Sequence, residues 1–219
     1  MTRLRLLYPI DARFESLVLL SVQYELHVTV RTAEVQPSPE ELSKFSALCD
    51  EMLGKRLLIQ LSCGDYPVQL MMSRRTELDD DPTAIRWANI QAEMIKQQGW
   101  DIARVKVEAP FSAKNYGTKP STVYTEAHWK LFLNSVEKDS LLKFLETHPY
   151  LHFKHSWSML VPGTNYLTVR TTDPDVFRVS SLFSSRGEAL LLAGFSTLKF
   201  HAERALYDSN PGLDNGWDR

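Results

Sequence analysis

The chain has 219 residues, 43% of them hydrophobic, with 25 basic and 27 acidic side chains and a formal net charge of −2. That near balance excludes the basic excess on which general nucleic-acid or anionic-membrane binding draws, and the apolar content is enough for a sizeable core. No apolar run approaches the roughly 20 residues of a membrane helix. The first ten residues end at Pro9 and Ile10 without a small-residue cleavage site, and Cys49 and Cys63 lack metal spacing, so a cytoplasmic protein with reduced thiols is expected.

In chain order, Val22 to Arg31 alternates as a strand, and Ser38-Pro39-Glu40-Glu41 is a capping box opening a helix to about Leu53. Lys55 to Ser62 and Pro67 to Arg74 read as strands around a Cys63-Gly64-Asp65 turn. Asp81 reads as the cap of a helix to Gln98, which Gly99 ends, and Asp101 to Ala109 as a further strand. Residues 111–122 carry turn formers and read as a linker. Beyond it come strands at Val123 to Leu133, Tyr150 to Ser158, Asn165 to Thr171 and Ser196 to Ala205, with helices near Glu137 to Thr147 and Pro174 to Ala193.

Both halves therefore read β-α-β-β-α-β. Tyr24-Glu25-Leu26-His27 is echoed by Tyr124-Thr125-Glu126-Ala127-His128, Asp81-Pro82 by Asp173-Pro174, and Arg104, Lys106 and Glu108 by Lys199, His201 and Glu203. The expected fold is α+β: a tandem duplication of ferredoxin-like repeats, 1–110 and 123–205, each an antiparallel sheet with helices on one face, followed by an extension over 206–219. Leu206, Tyr207, Leu213 and Trp217 give that extension enough apolar surface to dock, with Asp208, Asn210 and Asp214 capping its turns.

Residues two apart on a strand share a face. Apolar Tyr24, Leu26 and Val28 belong to the core, as do Trp129, Leu131 and Phe200. Glu25, His27, Thr29, Arg104, Lys106, Glu108, Glu126, His128, Lys130, Arg170, Lys199, His201 and Glu203 fall on the opposite, open faces. If those faces meet, two Glu-x-His pairs and a ring of bases share one cleft, a pattern suited to a phosphate-containing, nucleotide-like small molecule. His27 and His128, assisted by Glu25 and Glu126, are the candidate general acid and base. The remaining residues are candidate ligand-binding groups. Two other readings stay open: a Glu/His metal site, opposed by the nearby Arg104 and Lys106, and a non-enzymatic ligand- or protein-binding module. The identity of any cofactor is left unknown by the sequence.

Glu203-Arg204, Tyr207-Asp208-Ser209-Asn210 and Leu213-Asp214-Asn215-Gly216-Trp217 resemble the C-terminal signature of a poorly characterised, chiefly bacterial family, a resemblance that implies membership but no activity. His27-Val28-Thr29 resembles the His-x-Thr motif of two-histidine phosphoesterases, which implies phosphoester hydrolysis between two lobes. The second copy, His128-Trp129-Lys130, departs by carrying lysine for the hydroxyl residue. The alternating Glu and Lys strands of triphosphate-tunnel enzymes are a weaker comparison, because the Glu-x-Glu-x-Lys motif is absent.

Overall fold

A computed structural model describes residues 22–111 and 122–216. Eight strands are present: β1 (Val22–Val30), β2 (Lys55–Leu61), β3 (Val68–Leu78), β4 (Ile102–Pro110), β5 (Tyr124–Phe132), β6 (Lys154–Ser158), β7 (Thr164–Thr171) and β8 (Lys199–Asp208). Among the described residues four α-helices join them: α1 (Pro39–Glu51), α2 (Asp81–Gln97), α3 (Ser135–Thr147) and α4 (Val176–Leu192).

The strands form one closed antiparallel barrel in the order β1-β3-β2-β6-β7-β5-β8-β4. This overturns the expectation of two ferredoxin-like repeats with separate open sheets. The strands that would have been sheet edges pair with each other: β2 with β6 through Ile59–Leu61, and β4 with β8 from Lys106 to Pro110. Unpaired edges expose rows of amides and carbonyls, and closure removes those edges.

Alternation on each strand now separates outside from inside. Outward side chains form two apolar clusters beneath the helices. One joins Leu26, Val28 and Met72 to Phe45 of α1 and to Ala88 and Ile95 of α2. The other joins Trp129, Leu131 and Leu167 to Leu141 of α3 and to Val179 and Phe183 of α4. The polar faces of most strands turn inward, so the bore of the barrel carries the charged residues, while β2 sends Leu57, Ile59 and Leu61 into it.

The Ser38 capping box is present, with Glu41 returning to the Ser38 amide. Elsewhere the local signals shift by a residue or two. Asp80 rather than Asp81 caps α2, and Asp81 is buried, accepting from the Tyr24 hydroxyl at 2.8 Å. Asp175 rather than Asp173 caps α4. The expected strand from Tyr150 begins only at Lys154, because Pro149–Leu151 makes a 3₁₀ turn and His152 takes a left-handed φ of 54°. Phe200, expected in the core, is 48% exposed. β8 runs on to Asp208, so the extension begins as strand, and Pro211–Asp214 then turns as a 3₁₀ helix with Leu213 and Asp214 buried. Trp217 lies outside the described residues. Cys49 and Cys63 are not joined in a disulfide, and the first is buried.

Candidate functional site: a charged bore

The bore holds a cavity of about 820 Å³. Every site residue proposed from the sequence lines it: Glu25, His27, Thr29, Arg104, Lys106, Glu108, Glu126, His128, Lys130, Arg170, Lys199, His201 and Glu203. Strand register explains the gathering. Glu25 lies between Arg75 on β3 and Glu108 on β4, and His27 between Ser73 and Lys106. Glu126 lies between Arg170 on β7 and Glu203 on β8, His128 between Thr168 and His201, and Lys130 between Tyr166 and Lys199.

At the centre, Lys106 Nζ touches Glu108 Oε1 at 2.6 Å and donates to Glu126. His27 Nε2 meets Glu108 Oε2 at 2.9 Å, while its buried Nδ1 has no hydrogen-bond partner among the described residues. Burial works against charge at these carboxylates, but Lys106 outweighs it. Lys106 and the hydrogen bond from His27 hold Glu108 well below the usual carboxylate range, and Lys106 with Arg170 lowers Glu126. Burial likewise works against a proton on His27, yet the hydrogen bond to Glu108 and the charges of Glu108 and Glu25 raise its pKa overall. His201 is raised chiefly by its hydrogen bond to Glu203.

One end of the bore is closed by the C-terminal extension. Asp214 accepts from Arg104 Nη1 at 2.9 Å, Arg170 Nη2 at 2.8 Å and Gln69 Nε2 at 3.1 Å. Arg104 also grips Asp208, whose carboxylate accepts from the Tyr124 hydroxyl at 2.6 Å. Asp214 was expected to cap a local turn and instead reaches into the barrel. Asp208, Asp214, Arg75 and Tyr124 are the site members that sequence reasoning missed. Their partners are distant in the chain, and strand alternation was the one signal there to find, placing Arg75 two residues after Ser73 on β3 and Tyr124 two residues before Glu126 on β5.

The inward charges nearly balance. Glu25 is held by Arg75 and Ser73, Glu108 and Glu126 by Lys106, Arg170 and His27, Glu203 by His201, and the two aspartates by Arg104 and Arg170. Lys130 and Lys199 are left over, side by side in register, with no carboxylate on either among the described residues.

Two groups of side chains have the composition of metal ligands, Glu25-His201-Glu203 and Glu108-Glu126-His128, with ligand atoms within 4.8 Å of one another in each. In the second, the Lys106 ammonium sits where a cation would bind both carboxylates. In the first, Glu25 is committed to Arg75 and Ser73, and His201 to Glu203. The phosphoesterase expectation is also corrected. That chemistry needs two imidazoles facing a substrate between two lobes, whereas the barrel has no lobes and His27 spends its Nε2 on Glu108. Of the three imidazoles lining the bore, His128 is the least committed: Nδ1 contacts Thr168 Oγ1 at 2.9 Å, and Nε2 lies 3.7 Å from Glu126 and 3.8 Å from Glu203.

No helix among the described residues is long and apolar enough to cross a membrane. No family model and no curated protein matches the chain. Among solved structures it is similar to a haem-binding protein from Thermus thermophilus, with 13% identity over 85% of this chain and 92% of that one, at a TM-score of 0.28. A candidate monooxygenase from Fusobacterium nucleatum shows 9% identity, coverage of 88% and 96%, and a TM-score of 0.34. A mutant chlorite dismutase from Candidatus Nitrospira defluvii shows 11% identity, coverage of 91% and 96%, and a TM-score of 0.31. Likeness at these values carries no argument about what this barrel binds.

Proposed function

We propose that the barrel binds a small organic anion, which enters at the end of the bore opposite the C-terminal extension. The observation that carries this reading is the Lys130–Lys199 pair. The two lysines are direct neighbours on β5 and β8, both line the cavity, and neither meets a carboxylate among the described residues. Like charges placed opposite each other on adjacent strands destabilise a sheet, and a bound anion turns that repulsion into attraction. Lys55, an exposed residue lining the same cavity, adds to the field that draws an anion in. Inside, the fixed lattice of Glu, Arg, Lys and His offers a polar, preorganised wall against which such a ligand is oriented.

Thermal shift tests this with inorganic phosphate, sulfate and short mono- and dicarboxylates at low ionic strength. At least one anion is expected to raise the Tm of the wild-type chain, and Lys130→Met/Lys199→Met is expected to abolish that rise. In anion-free buffer the double variant should melt no lower than wild type, because it loses a repulsive pair. Absence of any stabilising anion, or a response that survives in the double variant, overturns the reading.

A further inference from the structure

The two ends of the bore are built alike, and one of them already holds an acid. At the closed end, Arg170 gives Nε to Glu126 and Nη2 to Asp214. Lys106 bridges Glu126 and Glu108, and Arg104, two residues before it on β4, donates Nη1 to the same Asp214 oxygen, Oδ2, that Arg170 holds. At the open end the same register places recur. Arg75 gives Nε and Nη2 to Glu25, as Arg170 gives Nε to Glu126. His201 pairs with Glu203 and lies within 4.8 Å of Glu25, as Lys106 pairs with Glu108 and reaches Glu126. Lys199 stands two residues before His201 on β8, as Arg104 stands before Lys106 on β4. The difference is the carboxylate: Asp214 fills the closed end, and no described side chain fills the open one.

Resting on the anion-binding reading above, we infer that the open end takes the carboxylate of a short organic acid, gripped between Arg75 and Lys199 as Asp214 is gripped between Arg170 and Arg104. Arg75 keeps Nη1 free among the described residues, so it has a donor to give without releasing Glu25. Lysine in place of arginine makes the second grip a point charge rather than a fork, which suits a mobile ligand better than a built-in plug. Lys130 lies beside Lys199 where the closed end has Thr29 beside Arg104, so a second charge is available to a second acidic group. The pattern therefore favours a dicarboxylate, whose two charges neutralise the two unpaired lysines.

Isothermal titration of the full chain with succinate and, separately, with inorganic phosphate tests the inference. Lys199→Met, Arg75→Gln and, as an outer-surface control, Lys44→Met are carried alongside, with thermal melts to confirm folding; Lys199 is exposed, so its variant is the safer for the fold. Succinate is expected to bind more tightly than phosphate and to lose about tenfold or more in affinity in each bore variant, the size of one charge-assisted hydrogen bond, but not in the control. Phosphate binding that exceeds succinate and falls in Lys199→Met overturns the carboxylate assignment and leaves the anion reading standing. Succinate binding indifferent to both bore variants overturns the assignment as well. Binding of neither anion overturns both.

Discussion

His27, on Glu108, is placed to carry the proton that balances the centre of the bore. Arg104, Lys106 and Arg170 face Glu108, Glu126, Asp208 and Asp214, three cations against four carboxylates, and a protonated imidazole on Glu108 closes the difference. The sign of the pH dependence follows. His27 and His201 have pKa values raised in the folded state, so their contribution is fully present below the ordinary histidine value of about 6.5 and is lost as pH rises through the folded value. Glu25, Glu108, Glu126 and Asp214 are lowered, so theirs is present above their ordinary values and lost as pH falls through the folded ones. His155, lowered by burial, has the opposite sign to His27 and His201 and adds to the acid-side loss. Urea midpoints should therefore be highest between about pH 4.5 and 6.5, the gap between ordinary carboxylate and histidine values, and decline toward pH 9. His27→Gln/His201→Gln should flatten the alkaline decline. If the double variant declines as steeply as wild type, the proton is not held where the geometry places it.

The C-terminal extension is the element on which sequence and structure differ most instructively. Its docking was legible, because Leu206 and Leu213 are bulky side chains among turn formers and both are buried. The role of Asp214 was not. An aspartate beside Asn and Gly matches a turn cap, and nothing local announces a partner 110 positions away in Arg104. The candidate residues themselves were legible for the opposite reason, since period-2 alternation alone decides which side chains share a face. Close approach fixes the path of the extension: Asp65 donates its amide to the Asn215 carbonyl at 3.0 Å, and Gly216, with φ of 79°, passes so near Gly64 that an added Cβ would lie 3.2 Å from its Cα. Removing the plug's charge tests its contribution. Asp214→Ala leaves Arg104 on Asp208 and Arg170 on Glu126, so the expected loss is that of charge-assisted hydrogen bonds, about 1.5–3 kcal/mol, rather than of a whole buried pair. Acetate should raise the Tm of this variant more than that of wild type by entering between the two guanidinium groups. Equal acetate responses, or an undiminished Tm, would mean that the plug is held by its apolar contacts alone.

At the scale of the whole molecule, alternation showed which faces are polar but not whether two sheets end separately or join. The joining strands carry no signal of their own, because a pair such as Ile59 with Ser158 looks in sequence like any edge position. Closure also places a weak point in the barrel. β1 is registered with β3 along its whole length, Val22 to Val30. The seam between β2 and β6 is registered only at Ile59–Leu61, with Ser62 N–H to the His155 carbonyl and Met159 N–H to the Leu58 carbonyl extending it by one bond at each end. Local opening follows the route that breaks the fewest backbone bonds and exposes the least apolar surface. Parting the seam wets the charged bore together with Leu57, Ile59 and Leu61 of β2 and lifts Met159 and Leu160 off the first apolar cluster, but the buried residues beneath the helices stay packed. Native-state hydrogen exchange should therefore find the amides of Ser62 and Met159 exchanging through a sub-global opening, well ahead of Val28 on β1 and Leu167 on β7. An anion bound in the bore should slow the seam more than those central strands, since opening would expose it to water. Protection at Ser62 and Met159 equal to that at Val28, with or without the anion, would mean that the barrel opens only by unfolding as a whole.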